Sequence, residues 1–460
     1  MVVKLGRKSI NIYEIVYTTV IFLIVFNPPI IYHASFTILF LVIASASWCI
    51  NYSTVKQIMQ NVYIQKWLEV IICFFIFYTC MVPIYIVMDF SGLQNIILNY
   101  IRSVRSVVIL VLVSFFLAFP YVKGKLSSVQ IIKCMVKAGI LQSIIAISSY
   151  LSPSIKVFFN TWILNNSRSA NTKRLILNAS FRNYGFAAQL YDNYGFAMAL
   201  FAVLALAIAF KKRGSIIYYL YFAMIGFAGF INARSSLIIT ISGAFVVVFY
   251  IGRKISVKTM ERMCLVAIAG FISLILLVAY ISSHSTATNA HLLSGINEIM
   301  NIFNGEHSGY FSSLFDSFIF FPDDVSLLIG NGLLPQNVIG KSTDVGYIQL
   351  IWQNGIIGLC FAFAFLIYPS LKLNHFNNEF IRPIGVAIGL MITIYMIKLN
   401  CFGYGYASVV FTLFFVIGLC GFNQTNTCRK PISDGNEITL EEKVRNENSK
   451  NTNVQRFKQQ

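Results

Sequence analysis

The sequence predicts an all-α protein, a polytopic integral membrane helix bundle of twelve transmembrane helices with two long outer loops. Three observations predict it. The 460 residues are 57% hydrophobic and only 11% charged. Uncharged apolar runs near 20 residues recur along the chain, the length that matches a hydrocarbon core of roughly 30 Å. Basic residues also gather in alternate short connections, as the positive-inside rule requires of a multi-pass protein.

The predicted spans are 12–32, 33–50, 67–88, 104–120, 128–150, 190–210, 215–231, 235–251, 263–281, 346–371, 383–400 and 402–421. The stretch before the first span carries Lys4, Arg7 and Lys8. The apolar run behind it is too long for a signal-peptide core, and no cleavage site follows, so no cleaved leader is expected. With the N-terminus cytoplasmic, the inner connections hold Lys56 and Lys66, Lys123 and Lys125, Lys211 to Arg213, Arg253, Lys254, Lys258 and Arg262, then Lys372 and Arg382. An even number of spans returns the polar tail 422–460 to the cytoplasm, where its Asn, Lys and Glu content predicts disorder.

The organisation that follows is a five-helix region over 1–150 and a basic outer loop over 151–189. A four-helix region over 190–281 comes next, then a large outer loop over 282–345. Three C-terminal spans fill 346–421, and the tail follows. The net charge of +18 is mostly topogenic, and no zinc-finger or RNA-binding signature accompanies it. The nine cysteines show no C-x-x-C spacing and none lies in a long outer loop, so neither a disulfide framework nor a metal site is expected.

The two long loops are electrostatic opposites. The first holds Lys156, Arg168, Lys173, Arg174 and Arg182 with no acidic residue, against the charge rule for an outer segment. The second holds Glu298, Glu306, Asp316, Asp323, Asp324 and Asp344 against Lys341, with His284, His291 and His307. Apolar spacing in "INEIMNIF" and "YFSSLFDSFIFF" predicts short amphipathic helices on the membrane surface. Pairing between the loops would cap the bundle, and it leaves room for a site between them.

Arg234 stands in "FINARSSLII" (230–239), between uncharged runs at 215–231 and 235–251. An arginine at a helix end can simply snorkel to the interface. In this topology, however, it faces the same side as the basic loop, and a guanidinium can grip two phosphate oxygens at once. Lys398, near the outer end of the eleventh span, can add a second charge or snorkel in its turn. The echo "RNYGFA" (182–187) and "DNYGFA" (192–197) offers Tyr184, Tyr191 and Tyr194 either as interfacial anchors or as stacking faces for a sugar.

"YDNYGFAMAL" (191–200), "LLIGNGLLPQ" (327–336) and "STDVGYIQLIWQNGIIGLC" (342–360), with the arginine turn between them, resemble the O-antigen polymerase family. More broadly they are similar to the polymerase and ligase superfamily of bacterial polysaccharide assembly. The likeness spans roughly residues 180–365. It implies an inverting glycosyltransferase of the bacterial inner membrane that works at the periplasmic face. The growing glycan would pass from undecaprenyl pyrophosphate to a new lipid-linked repeat unit, with a chain-length regulator as a partner of such enzymes. By the same resemblance Arg234 would contact the donor pyrophosphate. Asp192 and Asn193 match the polar pair opening the sixth span, Gly330 and Gly332 the glycine pair, and Asp344, Gly346 and Tyr347 the D-x-G-Y turn. The related ligases carry a histidine and an asparagine near that turn, and this chain does not, which favours polymerase over O-antigen ligase.

Breaking the sugar C1–O bond leaves negative charge on the departing pyrophosphate, and preorganised cations that stabilise it lower the barrier. Arg234 with Arg168, Lys173, Arg174 and Arg182 can do this without a metal, and no D-x-D or histidine–carboxylate cluster calls for one. The acceptor hydroxyl needs a general base. Candidates are Asp344 and His307, then Glu306 and Asp192; Asp344 and Asp192 can equally cap the helices they precede. A flippase or transporter is the reading from a different class, and no correspondence between the halves 1–210 and 211–421 supports the inverted repeats common in transporters. Reporter fusions at Ser167 and Ser312 should both read as periplasmic; a cytoplasmic reading at either overturns the map.

Overall fold

A computed structural model describes residues 2–5, 8–29, 36–167, 173, 176–177, 182–187, 192–212, 215–252, 301, 304, 318–322, 324–341, 343–376, 378–398 and 407–427. Apart from an N-terminal hairpin, Val2–Leu5 paired antiparallel with Lys8–Asn11, the described residues are helical or in connections. Five helices are long and apolar enough to cross a membrane by length and composition, and shorter apolar helices accompany them. One compact unit comprises Met1–Cys420 and a second begins at Gly421.

The first helices depart from the predicted spans for local reasons. Helix α1 is Ile12–Phe26, not 12–32. Asn27 has φ 43° and Pro28–Pro29 follow, so the chain can neither donate the next helical bonds nor hold helical φ/ψ before a proline. Helix α2 is Phe36–Ile50, and a further short helix, α3 (Tyr52–Met59), fills most of the expected connection. Helix α4 runs Val62–Met88 because Asn61 caps it, its side chain accepting from the N–H groups of Tyr63 and Ile64. Helix α5 is Leu93–Val122, starting well before the predicted 104. Arg102 and Arg105 both project exposed from this continuous helix.

Helix α6 (Ser128–Leu151) opens with a capping box between Ser127 and Gln130. The first long loop is partly helical, which corrects its reading as a loop. Helix α7 is Pro153–Asn166, started by a proline at its first position, where no N–H is needed. Its Trp162 indole donates to the Pro29 carbonyl at 2.9 Å. Burial in this segment pulls the Lys156 ammonium below its ordinary value.

Helix α8, Asp192–Lys211, is the centre of the compact unit. Every residue from Tyr194 to Phe210 is buried. It packs against α6, α9 (Ile216–Phe230), α10 (Ser235–Gly252) and α14 (Ile381–Tyr395). Lipid is as apolar as leucine, so such packing rests on close contact, and small residues permit it. A Cβ on Gly139 of α6 would lie 2.8 Å from Phe201 of α8. One on Gly243 of α10 would lie 2.8 Å from Val203 of α8 and 2.5 Å from Met391 of α14.

The remaining elements are α11 (Asp324–Ile329), α12 (Pro335–Val338), α13 (Gly346–Asn374) and α15 (Ala407–Thr427). The last extends past the predicted end at 421. Helix α13 is broken in its interior: Gly355 takes φ 65° and ψ −173°, a conformation essentially reserved to glycine. The segment between α11 and α12 fills the break. The N–H of Asn331 donates to the Trp352 carbonyl at 2.7 Å, and that of Gly332 to the Gln353 carbonyl at 3.0 Å. Tyr85 of α4 donates to the Ile329 carbonyl at 2.5 Å and Asn99 of α5 to the Gly332 carbonyl at 3.3 Å. The carbonyls freed by the break thus find protein donors, as an apolar surrounding demands.

The predicted span 263–281, the tail beyond 427, "INEIMNIF" apart from Asn301, and the first residues of "YFSSLFDSFIFF" lie outside the described residues.

The break makes a graded prediction. A Cβ on Gly355 would lie 2.1 Å from the Leu328 carbonyl oxygen, and one on Gly330 (φ +82°) 2.5 Å from the Asn354 nitrogen. Gly340 also has positive φ, with nothing within 4 Å. Gly340→Ala should therefore cost only about 1 kcal/mol of backbone strain. Gly355→Ala and Gly330→Ala should cost on the order of 3 kcal/mol or more. Thermal midpoints of the detergent-purified variants check the order, and equal midpoints for all three would refute the interlocked break.

Candidate functional site

At one end of the central unit five pieces of chain meet: the start of α8, the α9–α10 turn, the start of α13, the residues after α14 and the isolated segment 182–187. The turn is tight. Its Ile231 N–H bonds the Phe227 carbonyl, those of Asn232 and Ala233 both reach Gly229, and α10 has begun by Ser235. Glycines make room for it. A Cβ on Gly195 of α8 would lie 2.6 Å from that of Ala233, and one on Gly229 2.4 Å from the Ser236 hydroxyl oxygen. Arg234 is held half-buried in this turn, and its carbonyl accepts from the Leu237 N–H.

The segment 182–187 is pinned from two sides. The Asn183 N–H donates to Asn232 Oδ1 at 2.7 Å, and Gln142 Nε2 of α6 donates to the Tyr184 carbonyl at 2.6 Å. Gly185, at φ +57°, lies so close to α6 that a Cβ there would sit 2.6 Å from Ile145 Cγ2. Arg182 Nη1 donates to the Tyr184 hydroxyl at 3.0 Å. The rings of Tyr184 and Tyr194 meet edge-on at 5.6 Å.

Helix α8 joins the same end through its first two residues. The Ser235 hydroxyl, next to Arg234, donates to Asp192 Oδ1 at 2.5 Å. The Tyr395 hydroxyl of α14 donates to Asn193 Oδ1. Tyr395 also stacks on Phe196 at 4.4 Å. The Tyr347 N–H of α13 donates to the Met396 carbonyl at 3.3 Å, and its hydroxyl to the Thr393 carbonyl. The Lys398 N–H closes the turn onto the Tyr395 carbonyl at 2.9 Å.

Of the residues singled out in the sequence, Arg182, Asp192, Asn193, Arg234, Tyr347 and Lys398 therefore come to one end. Lys173 is described only as a half-buried isolated residue. Arg168, Arg174, His307, Glu306 and Tyr191 lie outside the described residues. Asp344 is exposed, two residues ahead of α13. The cap of that helix is Val345, not Asp344, and Thr343 organises the turn. The Thr343 hydroxyl accepts from the Val345 N–H and donates to the Phe318 carbonyl, while its carbonyl accepts from Gln349.

Two expectations need correction. Tyr184 and Tyr194 are buried, 4% and 1% exposed, so neither offers a face to a sugar at a groove mouth. Their rings are spent on each other and on the core. The sequence shows no acidic residue in the turn of Arg234, yet the fold sets a carboxylate beside it: Asp192, brought from α8 by the Ser235 hydrogen bond.

Three polar residues that carry the arrangement escaped sequence reasoning: Gln142, Asn232 and Tyr395. Gln142 and Tyr395 sit inside apolar runs and Asn232 in the short turn between two, and none has a motif of its own, so only the fold reveals its partner. Asn232 lies in the same quoted stretch as Arg234, and the asparagines of the two echoes were the available signal. Both echo asparagines make the contacts that hold this end together.

Chemically the end offers cations on separate pieces of chain, Arg182, Arg234 and Lys398, with Asp192 among them. Among the described residues no group of three or more His, Cys, Asp or Glu side chains could hold a metal ion. In comparisons with known proteins, no family model matches this chain, and no curated protein matches it.

Proposed function

We propose that this chain is a membrane glycosyltransferase of the O-antigen polymerase kind, with twelve spans, cytoplasmic termini and its site on the periplasmic face of a bacterial inner membrane. The observation that carries the reading is the convergence of Arg182, Arg234, Asp192, Asn193, Tyr347 and Lys398 at one end of the bundle. These residues come from distant parts of the sequence.

In this mechanism the lipid-linked glycan brings its pyrophosphate to the arginine turn. Arg234 grips two phosphate oxygens, and Arg182 and Lys398 add charge. As the sugar C1–O bond breaks, the electron pair leaves with the pyrophosphate, and the cations gain strength against the growing charge. The acceptor hydroxyl attacks C1 from the opposite face and inverts it, giving its proton to a carboxylate or imidazole. Asp344 and His307 are the candidates for that base, with Glu306 and Asp192 behind them. The products are the lengthened lipid-linked glycan and undecaprenyl pyrophosphate. No metal enters the scheme.

One observation favours a second reading. A transmembrane helix interrupted at a glycine, as α13 is at Gly355, recurs in transporters that carry substrate past a fixed midplane site. In a flippase, loss of the protein would leave no repeat units at the outer face; in a polymerase, it would leave single units there.

The tests act on charge and geometry separately. Lysine keeps the charge of Arg234 but loses the planar fork. Arg234→Lys and Arg234→Ala should both abolish long glycan chains at normal protein levels. The loss is about 3 kcal/mol of transition-state stabilisation, by comparison with removing one oxyanion donor, or roughly a hundredfold in rate. Lipopolysaccharide banding with quantified protein reads this out, and full-length chains from the lysine variant would reduce Arg234 to an interfacial anchor. Changing Arg168, Lys173, Arg174 and Arg182 together to glutamine should likewise stop polymerisation while membrane insertion persists. Wild-type banding there would make the basic loop a passive cover.

A further inference from the structure

Two uncharged side chains decide where Arg182 stands. Asn232 and Gln142 are both fully buried, at 0% exposure. Asn232 works in two directions. Its Oδ1 receives the Asn183 N–H at 2.7 Å, and its Nδ2 donates to the Ala228 carbonyl at 3.0 Å. That carbonyl needs the side chain, because the Asn232 N–H has turned to Gly229 instead. One amide thereby closes the end of α9 and fastens a distant segment to the Arg234 turn. Gln142 holds the next residue of that segment from the α6 side, donating to the Tyr184 carbonyl at 2.6 Å. The Tyr184 hydroxyl in turn receives Arg182 Nη1 at 3.0 Å.

An amide is suited to this task. It carries a donor and an acceptor and no charge, so it satisfies buried backbone groups without competing with an anion for the nearby arginines. Without the Asn232 bond the Asn183 N–H would be buried unpaired, and without Gln142 the Tyr184 carbonyl would keep only the Ala187 N–H of its own segment, so the segment would lose these hydrogen bonds to the turn and to α6.

We propose that Asn232 and Gln142 are positioning residues, which tie the basic outer segment to the α9–α10 turn so that Arg182 and Arg234 act on one anion as a pair. This rests on the pyrophosphate-donor reading given above and deepens it. Neither amide touches the donor, and each acts through Arg182.

The experiment is a double-mutant cycle on the full chain purified in detergent, with undecaprenyl pyrophosphate as the probe. Arg182→Gln, Asn232→Ala and Gln142→Met should each weaken binding by about tenfold. In the Arg182→Gln background, adding Asn232→Ala or Gln142→Met should weaken it no further, because residues acting through one group are not additive. Losses that multiply instead would overturn the proposal, as would unchanged binding by the single amide variants. A second measurement needs no ligand. Trypsin should cut the Arg182–Asn183 bond about tenfold faster in Asn232→Ala than in the wild type, normalised to cutting after Lys173. Equal cutting would overturn the tether. A wild type that fails to bind the probe would count against the donor reading, and the tether would then be judged on cleavage alone.

Discussion

The enclosure of α8 governs this protein. A helix with every side chain from Tyr194 to Phe210 buried gives its whole length to other helices and can be polar only at its ends. The run of alanines, leucines and phenylalanines that achieves this leaves Asp192 and Asn193 as the one polar pair at its start. Whatever packs beside the helix must bring polar partners to that level. The α9–α10 turn brings Ser235 and Asn232, α14 brings Tyr395, and α6 brings Gln142. The clustering of polar residues is thus a consequence of packing as much as of chemistry. Small residues set how near the pieces come: Gly195 and Gly229 let the turn sit against α8, and with larger residues there Arg234 would stand farther out.

Much of the fold was legible because the apolar runs are long. The predicted spans within the described residues overlap apolar helices, five of which are long enough to cross a membrane. Their ends were less legible, because they depend on local chemistry that a hydropathy window averages out. Pro28–Pro29 stops α1, the Asn61 cap starts α4 early, and Arg102 and Arg105 ride on α5 without ending it. Helix α7 escaped notice because positive charge marked its segment as a loop, although Ser152–Pro153 is a clear helix start.

The candidate site was legible where residues carry charge or lie in a quoted motif and illegible where they are neutral and outside one. Arg234, Arg182 and Lys398 stand out in a chain this apolar. Nothing in the sequence separates Asn232 or Gln142 from the many other polar residues within apolar runs, and their roles exist only as hydrogen bonds between elements. The tyrosines of the echo show the opposite failure. Their repetition is real, but it serves the core, since burial removes both rings from any outer surface.

The interrupted helix also bears on how the protein is made. The segment carrying Asn331 and Gly332 precedes α13 in the chain, so it is made before the carbonyls of Trp352 and Gln353 that it will meet. Nor can α13 break at Gly355 before that segment arrives, because its own carbonyls would then lie unpaired in lipid. Each half of the interlock waits for the other. The break in α13 and the seating of that segment are therefore one coupled step, which also draws on α4 and α5 for Tyr85 and Asn99.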